Sequence, residues 1–440
     1  VPNTVLRELM AEAAWTGDAL ARAVNIVGAE AGQSLRYGRS SVTHWLTGMC
    51  PRPPVPEFVA EAFSRKLGRP VPVADTGLGQ AAEAAAALPP GLWELNVPSR
   101  LAPDGPASTA RRYHLADLAV PTWEELTDRR ASRSWRAETG DKIERWQVSA
   151  AASMVGLFSD TDFAFGGGHA RGALTGYLAT VIAPWLRATS PPAVRRDLLM
   201  TAAKLTYLCA FTHYDDELHG TAQHYYLTTL RLAAEAGDAT GYAVTLRALS
   251  GQARILGHHR QAVQLAEAAV LAVAGNAVPQ TKAFLFGQLA VAHAADGSRR
   301  DAIRHLITAE RHLDRARDTP EPIGGCHPAS LAHQQAAVRS KLGDRTGAIQ
   351  ALTVSVRYRP PEERRSRALT LARLAELQLD HGELEAACVT WQRFLQDYPH
   401  LRSRRLDRAF RSMRTSLRPH SANSAVVALR RQAGRRCLSA

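Results

Sequence analysis

Residues 250–266 read SGQARILGHHRQAVQLA, and residues 290–306 read AVAHAADGSRRDAIRHL. Each stretch starts on a small residue, places glycine seven positions on and alanine twelve positions on. The same phase recurs along the chain. The small residues Ala210, Ser250, Ala290, Ala336 and Ala375 are followed by Ala222, Ala262, Ala302, Ala348 and Ala387. Gly257, Gly297, Gly343 and Gly382 stand between them, and the first unit has Glu217 there instead. Four residues past each alanine come Tyr226, Ala266, Leu306, Leu352 and Trp391, and the last two units close on Pro360 and Pro399. Small residues let two helices approach closely, glycine supplies the turn, and large apolar residues fill the contact with the next hairpin. The spacing predicts an all-α protein in which residues 201–400 form an α-solenoid of about five helical hairpins.

This pattern resembles tetratricopeptide (TPR) repeats. Its period of about 40 residues exceeds the usual ~34, so longer helices or loops are expected. A solenoid has a concave side lined by the first helix of each hairpin. By repeat phase, Lys204, Tyr207, Phe211, Tyr214, Arg247, Arg254, His333 and Glu376 point there. Tyrosines, a phenylalanine and arginines together can hold an aromatic or carboxylate-bearing small molecule or a peptide terminus. They can equally pack against the linker or adjacent helices.

A second informative stretch is Arg39-Ser-Ser-Val-Thr-His-Trp-Leu-Thr-Gly48, followed by Pro51-Arg52-Pro53. It reads as a short helix with Val42, Trp45 and Leu46 inward and small polar residues outward. Arg36, Arg39, Ser40, Ser41, Thr43, His44 and Arg52 are the candidate contacts to DNA phosphates and base edges. Helical spacing places earlier helices over about Thr4–Ala14 and Asp18–Ala31, the second capped by Thr16. Together these segments resemble the helix-turn-helix of Xre/Cro-type regulators. The departure lies in Asn25–Tyr37, where that family has a turn of only a few residues. A plain helical bundle with Trp45 in its core is the competing reading.

The chain divides by composition into residues 1–77, a linker with short helices at 78–140, a helical connector at 141–200, the repeats, and a basic helix or tail at 401–440. Pro89–Ser108 holds five prolines. The connector reads as a helix from about Asp141, a turn at Asp160–Phe165 and a helix from His169 to Leu186. The formal charge is +13, yet residues 1–77 carry eight basic and seven acidic side chains. Leu401–Ala440 carries eleven arginines against Asp407 alone. Such a segment either adds salt-sensitive DNA affinity or is a solvated helix with a frayed end.

Five scattered cysteines without a CxxC pair point to a reducing cytoplasm and away from structural zinc. The apolar runs are too short to span a bilayer. Gly166-Gly167-Gly168 lacks both nucleotide-loop patterns, so it reads as a flexible start to a helix rather than a phosphate cradle. His213, Asp215, Asp216, Glu217, His219 and His224 are ligand-type residues without an HExxH pattern and read as a polar turn. No nucleophile–base constellation stands out, so neither catalysis nor a cofactor is expected.

The two halves together resemble cytoplasmic bacterial regulators of actinobacterial type, with an Xre-type head and a TPR body. The resemblance implies a homodimer that binds double-stranded DNA under control of a small-molecule or peptide effector or a protein partner, in roles such as secondary metabolism or differentiation. The alternative is a TPR interaction scaffold that recruits a protein partner without reading DNA.

Overall fold

A computed structural model of the chain describes residues 2–31, 33–78, 111–130, 142–275, 277–316 and 326–437. It is all-α among these residues, with a single isolated bridge between Lys142 and Thr189.

The head contains α1 (Thr4–Glu12), α2 (Gly17–Glu30), α3 (Arg39–Leu46) and α4 (Val55–Leu67). Thr16 Oγ1 accepts from the Ala19 amide at 3.2 Å, the expected N-cap. Leu20, Val24, Val42, Trp45, Phe58 and Phe63 form one buried core. Asn25 organises the long connection between α2 and α3. Its Nδ2 donates to the Tyr37 carbonyl at 2.9 Å and its Oδ1 accepts from the Tyr37 amide at 3.0 Å. Tyr37 then packs edge-on against Trp45, 5.2 Å between ring centres. The connection folds back on itself, and α2 and α3 remain packed neighbours.

The linker region is only partly within the described residues; 79–110 and 131–141 lie outside them. Residues 111–130 contain a 3-10 turn at Leu115–Leu118 and α5 (Trp123–Arg130). Next, α6 (Arg145–Phe165) runs unbroken through the segment expected to turn at 160–165. Its C-terminal end stays helical because Phe158, Ser159 and Asp162 are buried against neighbouring helices. Then follow α7 (Gly167–Tyr177), a π turn at Leu178–Ile182 and α8 (Ala183–Arg187).

Five antiparallel hairpins come next: α9 (Pro192–Asp215) with α10 (His219–Ala236), α11 (Ala239–Ile255) with α12 (His259–Ala272), and α13 (Pro279–Asp296) with α14 (Arg299–Asp314). The last two are α15 (Pro328–Lys341) with α16 (Arg345–Tyr358), and α17 (Arg364–Asp380) with α18 (Leu384–Asp397). The repeat phase explains their geometry. All five small residues and all five alanines are buried at the hairpin contact. Ser250 Oγ donates to the Ala262 carbonyl at 2.7 Å, showing how closely the two helices approach. Gly257, Gly297, Gly343 and Gly382 have φ of 89°, 91°, 88° and 88°, the left-handed conformation that glycine adopts without penalty. Glu217 takes the same role in the first hairpin at φ 57°.

The stack is closed across its concave side. Helix α6 packs against both α9 and α17, the first helices of the first and last hairpins. The Arg402 amide donates to the Phe165 carbonyl at 2.8 Å, and the Gly168 amide donates to the Arg402 carbonyl at 3.0 Å. The glycine run is therefore a tight seam, not a flexible start to a helix. A Cβ at Gly166 would sit 2.5 Å from the Arg402 oxygen, and one at Gly167 would sit 2.9 Å from the Thr212 backbone. The basic C-terminal region forms α19 (Arg404–Ser416) and α20 (Ser424–Cys437). Leu406, Phe410, Met413, Val426 and Leu429 cover the last hairpin, while Arg404, Arg408, Arg411 and Arg414 face outward.

Candidate functional site

The concave side encloses a cavity of about 660 Å³. Its wall is drawn from α9, α11, α13, α15 and α17, with α6 on one side and Arg405 of α19 at the end. Tyr207, Phe211, Arg247, Arg254 and His333 line it, as the repeat phase predicts. Lys204 is exposed and does not line it. Tyr214 lies beneath the Arg405 guanidinium, 4.9 Å from its carbon, and does not reach the cavity wall. Glu376 is turned toward the capping helices. It accepts from Arg373 at 3.2 Å and from Ser412 Oγ at 3.3 Å.

The wall is strongly cationic. Arg359 pairs with Glu363 at 2.6 Å, Arg365 with Asp162 at 2.8 Å, and Arg405 with Asp215 at 3.7 Å. Burial pushes the Asp162 carboxyl up to about 6 against the pull of Arg365. Arg247 lies over the Phe284 ring, 3.7 Å from its centre, a cation–π contact. The Nε atoms of Arg247 and Arg254 are both buried without a hydrogen-bond partner among the described residues. Burial lowers the Arg254 pKa, and Arg405, Arg247 and Arg373 push the same way. His333 is held neutral, burial taking it down to about 3 with four arginines adding to the effect.

Part of this wall was within reach of sequence reasoning. Arg365, Leu369, Arg373 and Leu377 recur every four residues on the first helix of the last hairpin, and all line the cavity. Asp162 and Arg405 carried no such signal, because they come from outside the repeats.

The ligand-type cluster around the first hairpin turn is engaged by protein groups. Asp215 Oδ2 accepts from the Gly167 amide at 3.3 Å, Asp216 pairs with Arg171 at 2.7 Å, and Glu217 with Arg408 at 2.9 Å. His213 Nδ1 lies 2.8 Å from the Cys209 carbonyl, and His224 Nδ1 lies 2.7 Å from Arg111. Among the described residues no set of three His, Cys, Asp or Glu is placed to hold a metal ion. No described helix is long and apolar enough to cross a membrane.

On the head, Arg36, Arg39, Ser40, Thr43, His44 and Arg52 are all exposed, and Ser41 is half-buried. Thr43 Oγ1 donates back to the Arg39 carbonyl at 3.0 Å, while Ser41 Oγ accepts from the Gly38 amide at 3.5 Å. The head meets the solenoid through α4 and a strap at residues 111–118. Tyr113 is buried between them, stacked on His258 with ring centres 5.6 Å apart and lying under Arg65. The strap is held to α10 by Gln223, which accepts from the His114 amide at 2.8 Å and donates to its carbonyl at 2.7 Å. On the head side, Glu61 pairs with Arg65 at 2.9 Å and accepts from the Leu115 amide at 3.4 Å. Burial lifts the Glu61 carboxyl to about 7.

Residues 6–79 match the family model described as the SP15 N-terminal domain. No curated protein matches the chain. Among solved structures, the chain is similar to one in the crystal structure of the APC/C hetero-tetramer Cut9-Hcn1. That similarity has a TM-score of 0.34 and 16% identity, and covers 57% of this chain and 45% of that one. The chain thus spans less than half the length of that relative. Its head is similar to the SP15 N-terminal domain, and its body is a TPR-like helical solenoid.

Proposed function

We propose that this chain is a non-catalytic regulatory interaction protein, in which the TPR-like body associates with a protein partner, a second copy of the chain first among them. The observation that carries this reading is the outer surface of the stack. Leu271, Ile307, Val354, Tyr358 and Val389 are exposed on the second helices of four successive hairpins. Several large apolar groups left in water across consecutive units are a feature of interaction faces rather than of ordinary surface. Light scattering on the purified chain tests it. A particle of two chains that Ile307→Lys with Val354→Lys returns to one chain supports the reading. A monomer at all concentrations refutes self-association.

A second reading, a sequence-specific DNA-binding regulator, is favoured by the α3 face. Arg36, Arg39 and Arg52 lie exposed among small hydroxyl side chains, with no acidic residue between Arg36 and Arg52. A slim, positively charged helix suits approach to a groove. Replacing Arg39, Ser41 and Thr43 by alanine should abolish mobility shifts on DNA selected by the intact chain while leaving helical circular dichroism unchanged. Undiminished binding at physiological salt would exclude the α3 face as the reader.

A further inference from the structure

The cavity inside the solenoid has a charge arrangement that its own side chains do not balance. Four of its arginines have carboxylate partners: Arg359, Arg365, Arg405 and, nearer the surface, Arg373. Arg247 and Arg254 have none among the described residues, and each buries an Nε without an acceptor. Lys341 adds further charge at the rim, beside Arg373 and its partners Glu376 and Ser340. Gathering like charges in a partly desolvated space is unfavourable, and buried guanidinium donors without acceptors add to that cost. Arrangements of this kind are tolerated where a ligand completes them. The volume of about 660 Å³ fits a small molecule and excludes a folded domain.

We propose that this cavity is a binding site for a compact, multiply charged small-molecule anion, held by the guanidinium groups of Arg247 and Arg254. A guanidinium fork donates two parallel hydrogen bonds to phosphate or carboxylate oxygens alike. Both anion types share the chemistry, and Arg373 and Lys341 meet the part of the ligand nearest the opening. Binding would also join α11 to α15 and α17 through the ligand, tightening the closure that α6 already makes. The site names a ligand class for the effector expected of the repeats, and it stands whether or not α3 reads DNA.

Calorimetric and thermal-shift titrations of the full chain test it, with inorganic pyrophosphate and citrate as probes and acetate as the singly charged reference. Saturable one-site binding of pyrophosphate or citrate, far above acetate, is expected, and the stronger of the two identifies the anion type. Arg254→Gln should weaken it at least about tenfold, as expected for loss of one bidentate charged contact, while Arg254→Lys retains part of the affinity. Without any anion, Arg254→Gln should melt at or above the temperature of the parent, because it removes an unbalanced charge. Ala337→Glu provides an independent check, since it places a carboxylate on the cavity wall. It should raise the melting temperature and block the probe. Absence of binding by both polyanions, or binding that neither Arg254→Gln nor Ala337→Glu alters, would overturn the proposal.

Discussion

Arg365 Nη2 lies 2.8 Å from Asp162 Oδ2 across 203 residues of sequence, and both side chains are almost wholly buried. The same guanidinium reaches Asp215 at 3.7 Å and covers the Phe211 ring at 4.7 Å. One arginine therefore ties α6, α9 and α17 together. Arg365→Met would leave the buried Asp162 carboxylate without its partner and Asp215 with Arg405 alone. Breaking a buried pair from one side costs about 3–5 kcal/mol. Chemical denaturation should show that loss, and small-angle scattering should show a more open particle.

The first hairpin turn carries local strain. Glu217 occupies the left-handed conformation where the other four hairpins place glycine. That conformation costs a non-glycine residue roughly 1 kcal/mol. Its pair with Arg408 is half-exposed and contributes under about 1 kcal/mol. Glu217→Gly should therefore be close to neutral in thermal melts. Glu217→Ala keeps the strain and loses the pair, and should be less stable than the glycine variant by about 1 kcal/mol.

The strap offers a way to uncouple head from body. A Cβ on Gly220 would collide with the Arg111 carbonyl oxygen, a backbone atom with little room to move. Gly220→Ala and Tyr113→Ala should both release residues 111–118. Hydrogen exchange of the Leu115 and His114 amides should accelerate, while amides within α11–α18 keep their protection. Equal protection in parent and variant would contradict the coupling.

Acid should destabilise the fold. Burial pulls His213, His219 and His258 down to about 4 and His333 to about 3. Between those values and the ordinary 6.5, the folded chain binds fewer protons there than the unfolded chain. The stability these groups contribute is present above 6.5 and is lost as pH falls toward 4 and 3. Glu61 and Asp162, raised to about 7 and about 6, act in the opposite sense, favouring the fold at low pH and losing that contribution as pH rises. Four groups oppose two, so the melting temperature should fall from pH 6.5 to pH 4. His333→Gln should flatten part of that slope.

The hairpins were legible because their spacing is set by backbone approach, which admits only small residues at the contact and favours glycine at the turn. The side chains of α11 and α15 that face the cavity followed from the same phase. Lys204 and Glu376 show where phase stops being sufficient. Lys204 is exposed on α9, and α19 holds Glu376 through Ser412, away from the cavity. The unbroken run of α6 and the seam at Gly166–Gly168 depend on contacts with distant residues, Arg365 and Arg402 among them. No local periodicity announces a partner more than two hundred residues away. Thr16, Val42 and Trp45 took their expected places in the head, but the Asn25–Tyr37 clasp that sets the α2–α3 geometry had no signature.

In an open solenoid each unit touches only its neighbours, so units can be added, lost or melted from an end at modest cost. Here α6 is made early in the chain yet finds part of its seat on α17, which is made late. The ring of contacts cannot close until nearly all of the body exists. Folding is thereby committed to long-range search and slow closure. Loss of any hairpin would cost the α6 seat as well as its own contacts, so the body should melt as one cooperative unit instead of fraying from its end.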